Sequence, residues 1–584
     1  MIPPASNSLR LRRLSLTRSH RKHFTRAAFA ALVSALSLPL VTSHAATLTW
    51  DPGTPQVPLT GTYNSGTWDN TTTNWSNGTT DQAFVTGSTA NFGGVQTTTA
   101  TVTLGAAISA LNIQFSTGGY TITPSATNTL TLTGGFGTTA TPNPGTGATI
   151  YNGAGTNTIN GPLIIGATGS TSTAFLSAAA GTTLNLTSTI TQTTPATSNE
   201  TVSGGGTVNY TGTGFATGKF NVAGAGTVFN ASGTMSGFTG TYTGVADAGG
   251  ATWNVNGGTI NGTAATLFVG NGGGTIGNFT VSGGGTASFA ALNAGNNFNA
   301  GAADSTGTVT VGGATGGLLN VTGAVRLGSN GAGVGTLNLN ANGRIVIGSA
   351  AGTIARGTGV SGATGGSGNL NFNGGVLQYN AAPNTPAIAA NITTTILDGG
   401  ATINSNGFAV TVASPILHGG TAAIDGGLIK FNAGILTLTA ANTYTGPTTI
   451  SGGTLLINAN GGLSSSNVTL AAGVTLSLAT GVTAAHSVTT STLTLTSATT
   501  STVNLAGPAG TVQDTVGNLI IAGVVQAPGT YGATGSGAQF TSADFTGTGF
   551  LLVAIPEPST YATMLVALGG LAVYARQRQT RRQA

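Results

Sequence analysis

The body of this chain offers two histidines, His418 and His486, and few carboxylates to work with them. The histidines stand 68 residues apart, and neither has an acid within five positions. Each is read as a surface or loop residue rather than a general base. The carboxylates are Asp51, Asp69, Asp81, Glu200, Asp247, Asp304, Asp398, Asp425, Asp514 and Asp544. Glycan cleavage needs such groups in pairs, as acid and base or as calcium ligands beside a cation. Asp398 and Asp425 are the one pair to test. They lie 27 residues apart, a spacing that could stack them on neighbouring coils, with Lys430 or Arg356 nearby. Thiol chemistry and thiolate metal sites are excluded, because the chain has no cysteine. A zinc site would then need both histidines plus carboxylates. Neither the Gly-Gly-x-Gly-x-Asp calcium repeat nor the G-x-x-x-x-G-K-[ST] phosphate loop occurs. The expectation is no catalytic residue, no metal and no cofactor.

The elements available to position any site are short strands. Triplets such as Val309-Thr-Val311, Leu319-Asn-Val321, Leu337-Asn-Leu339 and Ile345-Val-Ile347 alternate with period two, so both apolar side chains of each face one way. A longer period joins Gly277-Asn-Phe-Thr-Val281, Gly307-Thr-Val-Thr-Val311, Gly335-Thr-Leu-Asn-Leu339 and Gly368-Asn-Leu-Asn-Phe372, whose starts are 30, 28 and 33 residues apart. One such unit cannot close a core, but stacked units bury their triplets in a column. The predicted fold is all-β, a right-handed parallel β-helix forming a rod on the order of 100 Å at about 4.8 Å per rung. Glycine makes up 96 of 584 residues, which suggests disorder, but 39% of the chain is apolar, more than a disordered chain carries.

Basic charge is concentrated at the ends. Seven basic residues precede residue 27 and four follow residue 575, whereas the body between Ala46 and Ile555 holds ten acids against five bases, a net of −5. The sequence pI of 9.6 thus describes the termini. No basic cluster exists in the body to bind nucleic acid. At the N-terminus a basic run ends at Arg26, an apolar stretch spans residues 27–38, and Ser43 and Ala45 occupy positions −3 and −1 of a signal-peptidase site. Cleavage after Ala45 is expected, with cleavage after Ala46 the close alternative. At the other end Pro556-Glu557-Pro558 is followed by fourteen mostly apolar residues, 561–574, and by Arg576, Arg578, Arg581 and Arg582. These arginines orient the extreme C-terminus to the cytoplasm.

This tail resembles the PEP-CTERM sorting signal of diderm bacteria over residues 555–582, with Gln577, Gln579 and Thr580 diluting the usual arginine run. The resemblance implies export, a transient inner-membrane helix and processing by an exosortase-type enzyme. Residues 427–457 resemble the autotransporter-associated β-strand repeat at Lys430, Gly434, Leu436, Leu438, Asn442, Tyr444, Gly446, Thr449, Gly453, Thr454 and Leu455; Phe431-Asn432 departs from it. The opening segment, with Trp50-Asp51, Trp68-Asp69, Asn74-Trp75 and Asn91-Phe92-Gly93, is similar to the start of such proteins and suits an aromatic plug over the first rung. The chain is not read as an autotransporter itself, because self-translocation needs a C-terminal barrel of amphipathic strands.

The expected organisation is a signal peptide (1–45), a Trp-containing cap and first rungs (46–125), an irregular solenoid (126–425), the repeat (426–480), C-terminal rungs and cap (481–554) and the sorting tail (555–584). The expected role is a non-enzymatic structural or adhesive surface protein. Its partners would be signal peptidase, the processing enzyme, transiently the inner membrane, and a surface polysaccharide. The rival readings are a β-helix polysaccharide-degrading enzyme or carbohydrate-binding protein and, against the irregular spacing, ice or crystal-surface binding by a threonine array.

Overall fold

A computed structural model describes residues 46–52, 64–94, 99–134, 150–166, 173–193, 199–238, 240–246, 249–296, 304–329, 332–357, 366–463, 467–483, 485–486, 491–498 and 500–554. The signal segment 1–45 and the sorting tail 555–584, with Ser43, Ala45, Pro556, Glu557, Pro558 and the terminal arginines, lie outside the described residues. Among the described residues no helix is long and apolar enough to cross a membrane.

The chain separates by contacts after Ala46, and the unit that begins at Thr47 is a three-sided stack of parallel strands. One face is a fourteen-stranded sheet running from Gly66–Trp68 to Ile416–His418. Coils along this sheet cross it once, turn onto a second face and then a third, and return. The coil that begins with Ile276–Ser282 shows this. Its first strand pairs with Thr306–Val311, one coil on, and Gly285–Asn296 then supplies both remaining faces, pairing with Gly317–Val321 and Val325–Ser329. Along most strands buried and outward residues alternate, as in the iBiBiB of Thr306–Val311. Period two in the sequence has become one inward column per face, and a single apolar core runs from Leu48 to Val553.

The irregular sequence period is a true structural register. Gly277 stands opposite Gly307, Gly307 opposite Gly335, and Gly335 opposite Gly368. The reason for glycine lies at the corner where the third face meets the first. Gly270, Gly295 and Gly328 turn there with φ near +66°, a conformation that favours glycine. A Cβ on Gly307 would strike the backbone at Val269 and Gly295, and one on Gly335 the backbone at Gly328 and Ala294.

Both ends depart from the parallel pattern. Thr47–Trp50 pairs antiparallel with Trp75–Ser76, and Trp50, Trp68 and Trp75 are fully buried against Phe84 and Phe92, with ring centroids 4.9–6.0 Å apart. At the other end Phe550–Val553 pairs antiparallel with Gly529–Gly532, and Tyr531 stacks on Phe540 at 4.9 Å. Ala554 still donates to Val516, so chain order is kept up to the residue before the sorting tail.

Candidate functional site

Asp398 and Asp425 each lie near His418, and each is tied to turn residues of its own. Asp398 accepts the backbone N–H groups of Thr421 and Ala422 (3.1 Å each) and the Thr421 hydroxyl (2.9 Å). Asp425 accepts from Thr445 (2.7 Å), Gly427 and Gly446 (2.9 Å each), and lies 2.9 Å from His418 Nδ1. The Ala422 and Thr421 donors hold the Asp398 carboxyl below its usual range. Burial works against ionisation of Asp425, but the N–H donors and His418 outweigh it. Both groups are therefore ionised at neutral pH and neither carries a proton for general acid catalysis. Nor is His418 a relay to a nucleophile. A relay needs the acid on one ring nitrogen and the hydroxyl on the other; here Asp425 and the Thr445 hydroxyl (2.9 Å) share Nδ1. The geometry locks two turns together.

Neither cation joins them. Lys430 is fully buried and points inward, its ammonium reaching the carbonyls of Phe431, Asn432 and Gly452. Burial pulls its pKa down to about 8, which still leaves it charged at neutral pH. Arg356 belongs to neither of the two His–Asp contacts among the described residues, His418–Asp425 and His486–Asp514. The second corrects the expectation that His486 is a surface or loop residue. His486 is 4% exposed, its backbone N–H donates to Asp514 Oδ1 (2.8 Å), and its ring meets Oδ2. Its partner is 28 residues away in sequence but adjacent in the stack, a neighbour that a search within five positions cannot find.

The polar residues of the segment 428–457 are corner locks of the same kind. Asn442 accepts from the Ile416 N–H (2.8 Å) and donates to the Gly462 carbonyl (2.6 Å), joining three coils, while the buried Tyr444 hydroxyl bonds Thr448 (2.6 Å). Asn442 thereby satisfies backbone groups that the turns leave unpaired. Several buried polar side chains among the described residues have no such partner, Glu200 among them. Glu200 is fully buried on the strand Asn199–Ser203, and neither carboxylate oxygen is hydrogen-bonded.

A concave surface lies elsewhere, on the outside of the fourteen-stranded face. It is a groove of about 580 Å³ lined by Asn, Thr and Ser, with Ala231, from coils between Thr158 and Ser282. Its floor is an amide ladder: Asn209 donates to Asn185 (2.9 Å), Asn230 to Asn209 (2.8 Å) and Asn254 to Asn230 (2.9 Å). The sequence signal for it is a set of triplets that alternation identifies only as strand: Leu184-Asn-Leu186, Val208-Asn-Tyr210, Phe229-Asn-Ala231 and Trp253-Asn-Val255, each with Asn between inward residues.

Two short segments of the chain match known family models. Residues 428–457 match the passenger-associated transport repeat, and residues 554–579 match the PEP-CTERM protein-sorting motif. No curated protein and no solved structure matches the chain. The two matches mark an exported protein, and the sorting motif implies processing by an exosortase-type enzyme.

Proposed function

We propose that the chain is a non-enzymatic, surface-displayed spacer or matrix component. A signal peptide, removed after Ala45 or Ala46, starts its export. The β-helix, right-handed as parallel crossovers are, is held at the inner membrane by a helix over residues 561–574 until the tail is cut near Pro556-Glu557-Pro558. One observation carries this reading: the sorting-motif match begins at Ala554, directly after the last strand of the stack, Phe550–Val553. Two prolines keep residues 556–558 out of helix and sheet, leaving an extended ribbon that an enzyme can grip. Arg576, Arg578, Arg581 and Arg582 hold the far end inside, so the ribbon faces outward.

Alanine at positions 556, 557 and 558 is expected to leave inner-membrane translocation intact and to accumulate an uncleaved, membrane-bound form. Wild-type processing and distribution of that variant would defeat the sorting reading. The enzymatic alternative predicts glycan depolymerisation by purified protein that disappears when Asp398 and Asp425 are replaced by alanine. The full occupation of both carboxylates by turn N–H groups favours the non-enzymatic reading.

A further inference from the structure

We propose that the groove over the asparagine ladder is a binding site for a linear, uncharged polysaccharide lying along the stack. Four consecutive coils place Asn at one register position, and the cavity lies over them. The ladder consumes one N–H and one acceptor site per interior amide. Each amide has two N–H groups and two lone pairs, so one donor and one acceptor per coil remain for a ligand. The ladder also fixes every amide in the same orientation, which removes side-chain entropy from the cost of binding. Thr211, Ser232 and Asn256, exposed two residues further along the chain from Asn209, Asn230 and Asn254, raise a second hydroxyl- and amide-bearing row beside the floor.

The lining decides the ligand class by what it offers and what it lacks. No charged side chain lines the groove, so it has no complement for uronates, nucleic acid or cations. No aromatic ring lines it either, and the aromatic side chains of these coils, Tyr210, Phe229 and Trp253, point into the core. An apolar ligand would find nothing to cover. Sugar hydroxyls donate and accept at once, and amides and hydroxyls presented at each rung answer both roles. The rung repeat of roughly 4.8 Å is close to the length of one pyranose unit in an extended chain, so successive sugars can meet successive coils in the same way. This deepens the reading of the chain as a surface protein by naming what it holds. It stands or falls on the purified protein, whereas the sorting reading is decided by tail cleavage.

The test titrates the exported, processed protein with cellohexaose, xylohexaose, mannohexaose and laminarihexaose, with polygalacturonate as the anionic comparison. At least one neutral hexasaccharide is expected to bind, with polygalacturonate at least tenfold weaker. Two variants probe the groove itself. Asn209→Leu with Asn230→Leu breaks the ladder, and Thr211→Trp fills the groove while leaving the ladder whole. Each is expected to weaken binding tenfold or more with an unchanged circular dichroism spectrum. If the ladder variant misfolds, Thr211→Trp decides alone. Absence of binding by all four sugars, equal binding of polygalacturonate, or wild-type affinity in Thr211→Trp overturns the proposal.

Discussion

Replacing Glu200 tests whether this core tolerates a carboxylate only at a cost. Glu200 projects inward on Asn199–Ser203, in register with Ala174 on one side and Phe220 on the other. It is fully buried with neither oxygen bonded, and burial pushes its pKa well above the ordinary value. The unfolded carboxyl titrates near about 4.3. Because the folded pKa is the higher one, the native state holds a proton that the unfolded chain releases. The stability this group contributes is full below about pH 4.3 and is lost as pH rises toward the folded pKa. The loss is about 1.4 kcal/mol for each pH unit crossed. Glu200→Gln abolishes that pH dependence. Glu200→Leu removes the unpaired polar group as well and is expected to stabilise these coils by about 1–3 kcal/mol at pH 7. Stacked arrays need not unfold in one step, so the readout is amide hydrogen exchange in Thr173–Ala178, Asn199–Ser203 and Lys219–Val222. Wild-type protection there, corrected for intrinsic exchange, should fall as pH rises above about 4.3. Level wild-type protection, or lower protection in the leucine variant, would refute the reasoning.

Lys430→Met should uncover the carbonyls of Phe431, Asn432 and Gly452. Each unpaired buried acceptor costs about 1–3 kcal/mol, so limited proteolysis should open residues 428–457 while the tryptophan end stays protected. Asp425→Asn should destabilise the coils from Ile416 to Ile457 by about 1.5–3 kcal/mol at neutral pH. The sign comes from a folded pKa below the unfolded one: the carboxylate's contribution is present above about pH 3.9 and vanishes as pH falls through the folded value. The gap between variant and wild type, measured by denaturant titration, should close in acid.

Strand identity and the direction each side chain faces were legible in the sequence, because they depend on a period of two that any sheet enforces. The repeat of glycines at 277, 307, 335 and 368 was legible too, because each marks a corner where two backbones nearly touch. The sorting motif and the transport repeat, at 554–579 and 428–457, were readable because each is contiguous in the chain.

What the sequence did not disclose is which coils stack in which register. Loops between strands vary in length, so residues 21 to 28 apart become neighbours without any fixed spacing to announce it. That register alone turned His486 from a loop residue into the buried partner of Asp514, and placed Lys430 among carbonyls rather than beside Asp398 or Asp425. It also aligned four separate asparagines into one ladder under one groove. Local sequence decides the strand and its faces through sterics and alternation; the contacts between coils are long-range, and only the folded stack determines them.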